Sequence, residues 1–391
     1  MEFEEEAMSV RSLGFDEARL EQLVRTIEGD VGRERYDGAV VLVARRGEIA
    51  LHQAVGFAER ASERKARTDD VFCLFSVTKA FTSAAVLAQV DRGEIQLTTP
   101  IAEVLPEFGV KGKQRVNVGH LLTQRGGMSS ELPPIPVDKL GDLETMAAAV
   151  CDQPLLSAPG KLVSYSPIGA HAVLGELVRR LDGGSRSFRE ILADEVFGPL
   201  GMKDTALGLR ADLAARRVPI VVRDRSPGLF VPELLEALNV MLTEETEMPG
   251  GGGVGTAHDV FRFAEALRRG GELDGARILS PALLDLATRN HTGDEPNHLF
   301  DHTREMRGWD EFPAVLGLGF FLRGEGLFPM PFGLTASPRT FGGLGAGSTM
   351  FWVDPERELV FVCLTAGLLE ESRNFERLQQ LSDLALSALV D

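Results

Sequence analysis

The chain has 391 residues, 44% of them hydrophobic and 25% charged, values typical of a folded enzyme that exclude a disordered, collagen-like or disulfide-scaffold protein. Lys plus Arg number 41 against 58 Asp plus Glu, and the net charge of -17 argues against nucleic acid, whose phosphates need a basic surface. Cys73, Cys151 and Cys363 are odd in number and far apart, so they read as buried, reduced thiols and not as a disulfide framework.

At about 150 residues per domain, the length suits two structural units or one large body with an inserted region. The stretch Met1–Met8 is acidic and lacks the basic and apolar regions of a signal peptide. No apolar run approaches the roughly 18 residues of a spanning helix. A cytoplasmic protein with no membrane span is the expectation.

In chain order, a short helix is expected around residues 16–29. Gly38–Ala44 and Glu48–Gly56 follow as two strands of a hairpin, with Arg45-Arg46-Gly47 as the turn. Ser76–Arg92 is a near-continuous run of small and apolar residues with Ser and Thr at its start, the pattern of a buried central helix. Further helices are expected at Val118–Thr123, Leu143–Cys151, Ile168–Leu181, Ser187–Val196 and Pro232–Leu242. Pro133, Pro134 and Pro136 mark a loop. Gly250–Gly255 reads as a flexible turn before a helix that runs to Arg268, and Asn290–Phe312 as a long loop. Leu316–Leu322, Ser348–Val353 and Leu359–Leu364 read as strands and Asn374–Val390 as an amphipathic helix. Strands at both ends with a helical middle imply one sheet domain built from both termini, interrupted by a helical insertion.

Three places can carry chemistry. In Ser76-Val77-Thr78-Lys79 the hydroxyl and amine, three residues apart, share one helix face. A helix N-terminus favours charge developing on the serine oxygen, and a lysine among apolar neighbours has a lowered pKa and can serve as base. That would make Ser76 an activated nucleophile. The spacing alone also fits an N-capping serine followed by a partly buried lysine. Ser62-Glu63-Arg64-Lys65 has the same spacing but sits among charges and reads as a solvated turn. The second place is Tyr165-Ser166-Pro167. Only two tyrosines, Tyr36 and Tyr165, stand beside 22 phenylalanines, and a phenol near a cation is a competent acid or base. A loop tyrosine with its hydroxyl in solvent is the other option. The third is Phe341-Gly-Gly-Leu-Gly-Ala-Gly-Ser348, whose glycines would let backbone approach a ligand, or simply form a hairpin loop.

Together, in this order, the three motifs resemble the serine β-lactamase and penicillin-binding-protein superfamily, over about residues 13 to 390. Supporting stretches are Leu121-Leu-Thr-Gln-Arg-Gly-Gly-Met128, Pro199-Leu-Gly-Met-Lys-Asp-Thr205, Gly251-Gly-Gly-Val-Gly-Thr-Ala-His-Asp259 and Phe351-Trp-Val-Asp-Pro355. Within the superfamily the chain is most similar to class C-type esterases, the family VIII carboxylesterases, through Tyr165-Ser-Pro-Ile-Gly-Ala-His-Ala-Val-Leu-Gly175. The resemblance implies an α/β (α+β) fold, with an antiparallel sheet flanked by helices from 1–99 and 256–391, and a helical domain from 100–255 across an active-site cleft. It implies Ser76 as the acylated nucleophile, Lys79 and Tyr165 as the acid/base pair, and the third-motif triplet at Gly343-Leu344-Gly345. The backbone N–H groups of Ser76 and Ala346 would form the oxyanion hole.

Two positions depart from the family pattern. Gly343 stands where Lys, His or Trp is usual, and Pro167 stands where the Tyr-x-Asn motif has its amide. Both missing groups would hold a β-lactam, so their loss favours small or apolar esters over β-lactams or D,D-peptides. The expected function is therefore a carboxylesterase acting on a small-molecule ester or acyl substrate, without cofactor or metal. An acyltransferase or cyclising thioesterase is the alternative, followed by a weak β-lactamase or D,D-peptidase, and then a non-catalytic binding protein. No G-x-S-x-G elbow or Walker loop is present. His291, Asp294, His298, Asp301 and His302 lie within twelve residues, but their spacing matches no helical zinc motif, and they read as a polar loop.

Overall fold

The computed structural model describes residues 10–226 and 228–390; the acidic Met1–Met8 stretch lies outside them. Helix α1 (Glu17–Gly32) leads into strands β1 (Gly38–Arg45) and β2 (Glu48–Glu59). Arg46 and Gly47 between them take φ of 55° and 88°, the left-handed pair that a two-residue hairpin requires. After β3 (Arg64–Lys65), the chain leaves the sheet. It returns at β9 (Phe321–Leu322), β10 (Phe341–Gly345), β11 (Thr349–Asp354) and β12 (Leu359–Ala366), and ends in helix α11 (Glu371–Ser387). These seven strands form one sheet in the order β3-β2-β1-β12-β11-β10-β9, every pair antiparallel. The two ends of the sequence meet at β1 and β12, where Gly38 pairs with Ala366 and Arg45 with Leu359.

Strands β1, β11 and β12 are buried along their whole length, so both faces of the sheet are covered. Alternation divides their side chains. Val41, Val43, Trp352 and Phe361 turn to one face and pack with Leu23 and Ile27 of α1 and Leu378 and Leu381 of α11. Val40, Leu42, Phe351 and Val362 turn to the other and join the larger core around Phe81 and Phe263. Phe81 belongs to α2 (Thr78–Asp91), buried from Thr78 to Gln89, and it packs edge-on against Phe263 with ring centroids 4.7 Å apart.

The remaining helices are α3 (Val118–Leu122), α4 (Leu143–Asp152), α5 (Gly169–Leu181), α6 (Phe188–Leu192), α7 (Pro232–Met241), α8 (Ala257–Arg268), α9 (Pro281–Ala287) and α10 (Asp301–Arg307). Strands β4 (Phe72–Cys73), β5 (Ala206–Leu207) and β6 (Gly253–Gly255) form a second small sheet, and β7 (Glu272–Leu273) pairs with β8 (Ala276–Arg277). All three cysteines are buried free thiols. Among the described residues no helix is long and apolar enough to cross a membrane.

Four local expectations are corrected. The glycine run at 250–255 is no flexible turn: all six residues are buried, and Gly253–Gly255 is the central strand of the small sheet. Contact forces that choice, since a Cβ on Gly253 would lie 2.6 Å from Thr78 Oγ1. The loop expected over 290–312 contains α10, which starts at Asp301, carries an Arg304–Asp301 ion pair at 3.2 Å and stops at Gly308 with φ of 62°. The strand expected over Leu316–Leu322 is reduced to Phe321–Leu322, because Gly319 turns the chain with φ of 86°. Finally, α2 begins at Thr78, and Ser76 sits in a single 3-10 turn (Phe75–Val77) just before it.

Candidate active site

Ser76 is not an N-capping serine; neither the 3-10 turn nor α2 has a side-chain cap. Its hydroxyl meets two other groups. Lys79 Nζ lies 2.9 Å from Ser76 Oγ, and Tyr165 OH lies 2.8 Å from the same oxygen. One helical turn brings the lysine back to the serine, as the i, i+3 spacing requires. The tyrosine arrives from 89 residues away, on the segment that precedes α5. Ser62 and Lys65, by contrast, are exposed.

Backbone strain holds the serine in place. Phe75, immediately before it, has φ of 47°, an uncommon conformation for an aromatic residue that costs about 1–3 kcal/mol. Leu74 fixes that turn from both sides: its N–H donates to the Gly253 carbonyl at 2.8 Å, and its carbonyl accepts the Thr349 hydroxyl at 2.9 Å. Strand β10 ends against the same turn. A Cβ on Gly345 would lie 2.5 Å from the Leu74 carbonyl oxygen and 2.0 Å from Thr349 Oγ1, so only glycine lets the strand approach this closely. Ala346 follows directly and shares the walls of two cavities with Ser76. Leu344 faces one of these cavities, and Gly343 lines a third together with Ser76.

The departure at Gly343 has a physical cause. A Cβ at Gly343 would lie 2.9 Å from Cε1 of the Phe351 ring, which occupies the space a larger side chain would need. The Pro167 carbonyl oxygen would lie 2.9 Å from a Cβ on Gly250, so the two backbone segments touch there. Gly250 in turn accepts a hydrogen bond from Lys79 Nζ at 2.6 Å.

Electrostatics separate the two basic candidates. Complete burial pulls the Lys79 ammonium down from 10.5 to about 7, so a large share of the amine is unprotonated at neutral pH. Burial pushes the Tyr165 phenol up to about 12, against a smaller opposing effect of its bond to Ser76, so it stays protonated. Lys79 Nζ also stands 5.2 Å from the centroid of the Tyr165 ring.

Three contributors escaped sequence reasoning. Gly250 is one. Gln124 is another: its carbonyl accepts the Ser164 N–H at 3.0 Å and its side-chain amide oxygen accepts the Ser166 N–H at 3.1 Å, gripping both neighbours of Tyr165. It lies in the Leu121–Met128 stretch, with φ of 55°. The third is His171, buried, with neither ring nitrogen hydrogen-bonded, in the same cavity as Ser76, Lys79 and Tyr165. Burial, and then the Lys79 charge, hold it well below the usual imidazole range.

The His/Asp loop does not gather into one cluster. His291 Nε2 faces the Leu286 carbonyl at 2.8 Å, and His298 pairs with Asp301 at 3.0 Å. His302 turns instead toward Glu370 and Glu371, with potential ligand atoms within 4.8 Å of one another. Both carboxylates are already engaged: Glu370 accepts the Ser372 N–H at 2.9 Å, and Glu371 accepts the Leu229 N–H at 3.1 Å.

A profile of the Beta-lactamase family matches residues 23–385, which takes in the serine, the lysine, the tyrosine and the glycine-rich strand. The chain belongs to the Beta-lactamase family. Its relatives include the esterase/beta-lactamase LipL of Mycobacterium tuberculosis, 27% identical over 92% of this chain and 84% of that protein. Esterase EstB of Burkholderia gladioli is 32% identical over 66% of this chain and 71% of its own length. The crystal structure of a family VIII carboxylesterase superposes with a TM-score of 0.76 at 22% identity, covering 95% of this chain and 99% of that one, a likeness of fold. The antiparallel sheet and its helices are thus those of a β-lactamase-like hydrolase.

Proposed function

We propose that this β-lactamase-family chain is a serine carboxylesterase acting on neutral, apolar esters through an acyl-enzyme at Ser76. The observation that carries the reading is the hydrogen-bonded chain Lys79–Ser76–Tyr165, with its amine at about 7 and its phenol at about 12. Neutral Lys79 takes the Ser76 proton as Oγ attacks the ester carbonyl. The N–H groups of Ser76 and Ala346 receive the developing oxyanion. Collapse breaks the bond to the alkoxide, which takes a proton from the Tyr165 phenol, and the Lys79 ammonium gives its proton directly to the phenolate, leaving Lys79 neutral. Water then attacks the acyl-enzyme; one of its protons passes to Lys79 and from there to the departing Ser76 oxygen, so the acid, the serine hydroxyl and neutral Lys79 are all regenerated.

Charge supports an ester over a β-lactam or a D,D-peptide, whose carboxylates need a cation. Among the described residues, no arginine and no lysine other than Lys79 lines the three cavities that reach Ser76. The reading also places the cleft between the sheet portion (1–99 and 256–391) and the helical portion (100–255), and walls drawn from both portions support it.

The test is hydrolysis of p-nitrophenyl acetate and butyrate by the wild type and Ser76→Ala. The variant is expected to lose activity by roughly 10³-fold or more. Retained activity in Ser76→Ala overturns the reading.

A further inference from the structure

Two cavities diverge from the nucleophile, sharing Ser76, Phe230 and Ala346, and they differ in chemistry. The first, open to solvent on one side, has no charged lining residue; apart from Ser76 its walls are apolar. Much of it is helix α7, whose Leu234, Leu235, Leu238 and Met241 share one face at i, i+1, i+4 and i+7. Leu238 is buried, while Leu234, Leu235 and Met241 are only partly buried, so this apolar face both packs against the core and lines the cavity. Met146 and Met248 complete the wall, and unbranched thioethers adapt to a flexible chain.

The second cavity is aromatic. Phe300 stands edge-on to Phe375 with centroids 5.1 Å apart, and 5.7 Å from Phe321, so three rings form one wall. This wall also holds a carboxylate, Glu371. Glu371 accepts the Leu229 N–H at 3.1 Å, and His302, 3.6 Å from the neighbouring Glu370, lines the same cavity. Rings with a carboxylate beside them suit an organic cation, which gains both from the ring faces and from the charge. The contrast between the walls also orients a substrate, since an ammonium group would be left unpaired in the first cavity.

Resting on the esterase reading, the geometry points to a substrate in which the ester joins an aliphatic chain, held by the α7 cavity, to an aromatic ring bearing an amine, held by the Phe300–Phe321–Phe375 wall and Glu371.

Three esters test this on the wild type, Leu235→Trp and Glu371→Gln: 4-methylphenyl acetate, 4-methylphenyl hexanoate and 4-(aminomethyl)phenyl hexanoate. Each kcat/KM ratio is taken within one protein, so a partly folded variant still reports. In the wild type, the hexanoate-to-acetate ratio is expected to be at least about tenfold, from four added methylenes. The aminomethyl-to-methyl ratio is expected to be about fivefold or more. Leu235→Trp collapses the first ratio and spares the second; Glu371→Gln does the reverse. Hydrolysis through Ser76 with a hexanoate-to-acetate ratio near one, with an aminomethyl-to-methyl ratio near one, or with the variants' effects exchanged, overturns the inference and leaves the esterase reading standing. No hydrolysis of any of the three esters overturns both.

Discussion

At the residue scale, the proposed chemistry requires one amine to stay unprotonated inside the protein. If Lys79 at about 7 is the base, kcat/KM falls about tenfold per pH unit below that value and levels off above it, which an ester pH profile reads directly. The same burial costs stability. Between the folded value of about 7 and the ordinary 10.5, the unfolded chain binds the proton and the folded one does not, so Lys79 weakens folding progressively as pH falls through this window. Lys79→Met should therefore be inactive yet more stable than the wild type below pH 7, by a few kcal/mol at most, with the difference shrinking toward pH 10. Urea titrations at pH 6 and pH 9 check it; a variant less stable at pH 6 contradicts the assigned cost. Gln124→Leu removes the acceptor of the Ser166 N–H and leaves that buried group unpaired, a loss of about 1–3 kcal/mol. Because Tyr165 lies between the two N–H groups that Gln124 holds, kcat should fall about tenfold or more with little change in KM. Stopped assays over a substrate range separate the two constants.

Ser76 and Lys79 were legible because three residues of helix state a geometry by themselves. Tyr165 stood out only through the scarcity of tyrosine, and its proposed role rests on the family resemblance. Gln124, Gly250 and His171 could not be read. Their contacts with the site cross 42 residues for Gln124 and Ser166, and 171 for Gly250 and Lys79, and no local pattern encodes such distances.

At the scale of elements, glycines decide how closely strands reach Ser76. Gly345→Ala would push its Cβ onto the Leu74 carbonyl and Thr349 Oγ1, which should cost about 1–3 kcal/mol of stability. The larger effect should be on turnover, since β10 would move Ala346 away from Ser76; chemical denaturation and an esterase assay on one preparation give both quantities. A stable variant with full activity would show that this close approach is dispensable. The same physics explains the misread run at 250–255. Glycines signal mobility when nothing surrounds them, but here Thr78 fills the space a side chain would take at Gly253 and accepts its N–H at 2.9 Å. The regular strands were easier: Leu359–Ala366 and Thr349–Asp354 are near-continuous apolar runs, as strands buried on both faces must be.

For the whole molecule, the sheet is closed by the two ends of the sequence. β1 pairs with β12, and helices α1 and α11 cover the same face over Trp352. That indole is fully buried, stacks on Phe361 at 5.3 Å and donates from Nε1 to Ser382 Oγ at 3.0 Å. Trp352→Ala should cost about 3–5 kcal/mol. It should lower the thermal midpoint of sheet and site together, since one sheet carries both; separate transitions by circular dichroism and by activity would contradict that. Strands at both ends around a helical middle were visible in the order of hydrophobic patterns. The pairing of β1 with β12, and the cavities that open from Ser76, arise only when distant segments pack.

The most direct measurement is intact-mass analysis of the protein quenched during turnover of p-nitrophenyl butyrate, with peptide mapping of any adduct. The account predicts one butyryl group on the peptide carrying Ser76, absent in Ser76→Ala. Turnover with an adduct on another residue, or turnover unchanged in Ser76→Ala, would contradict it.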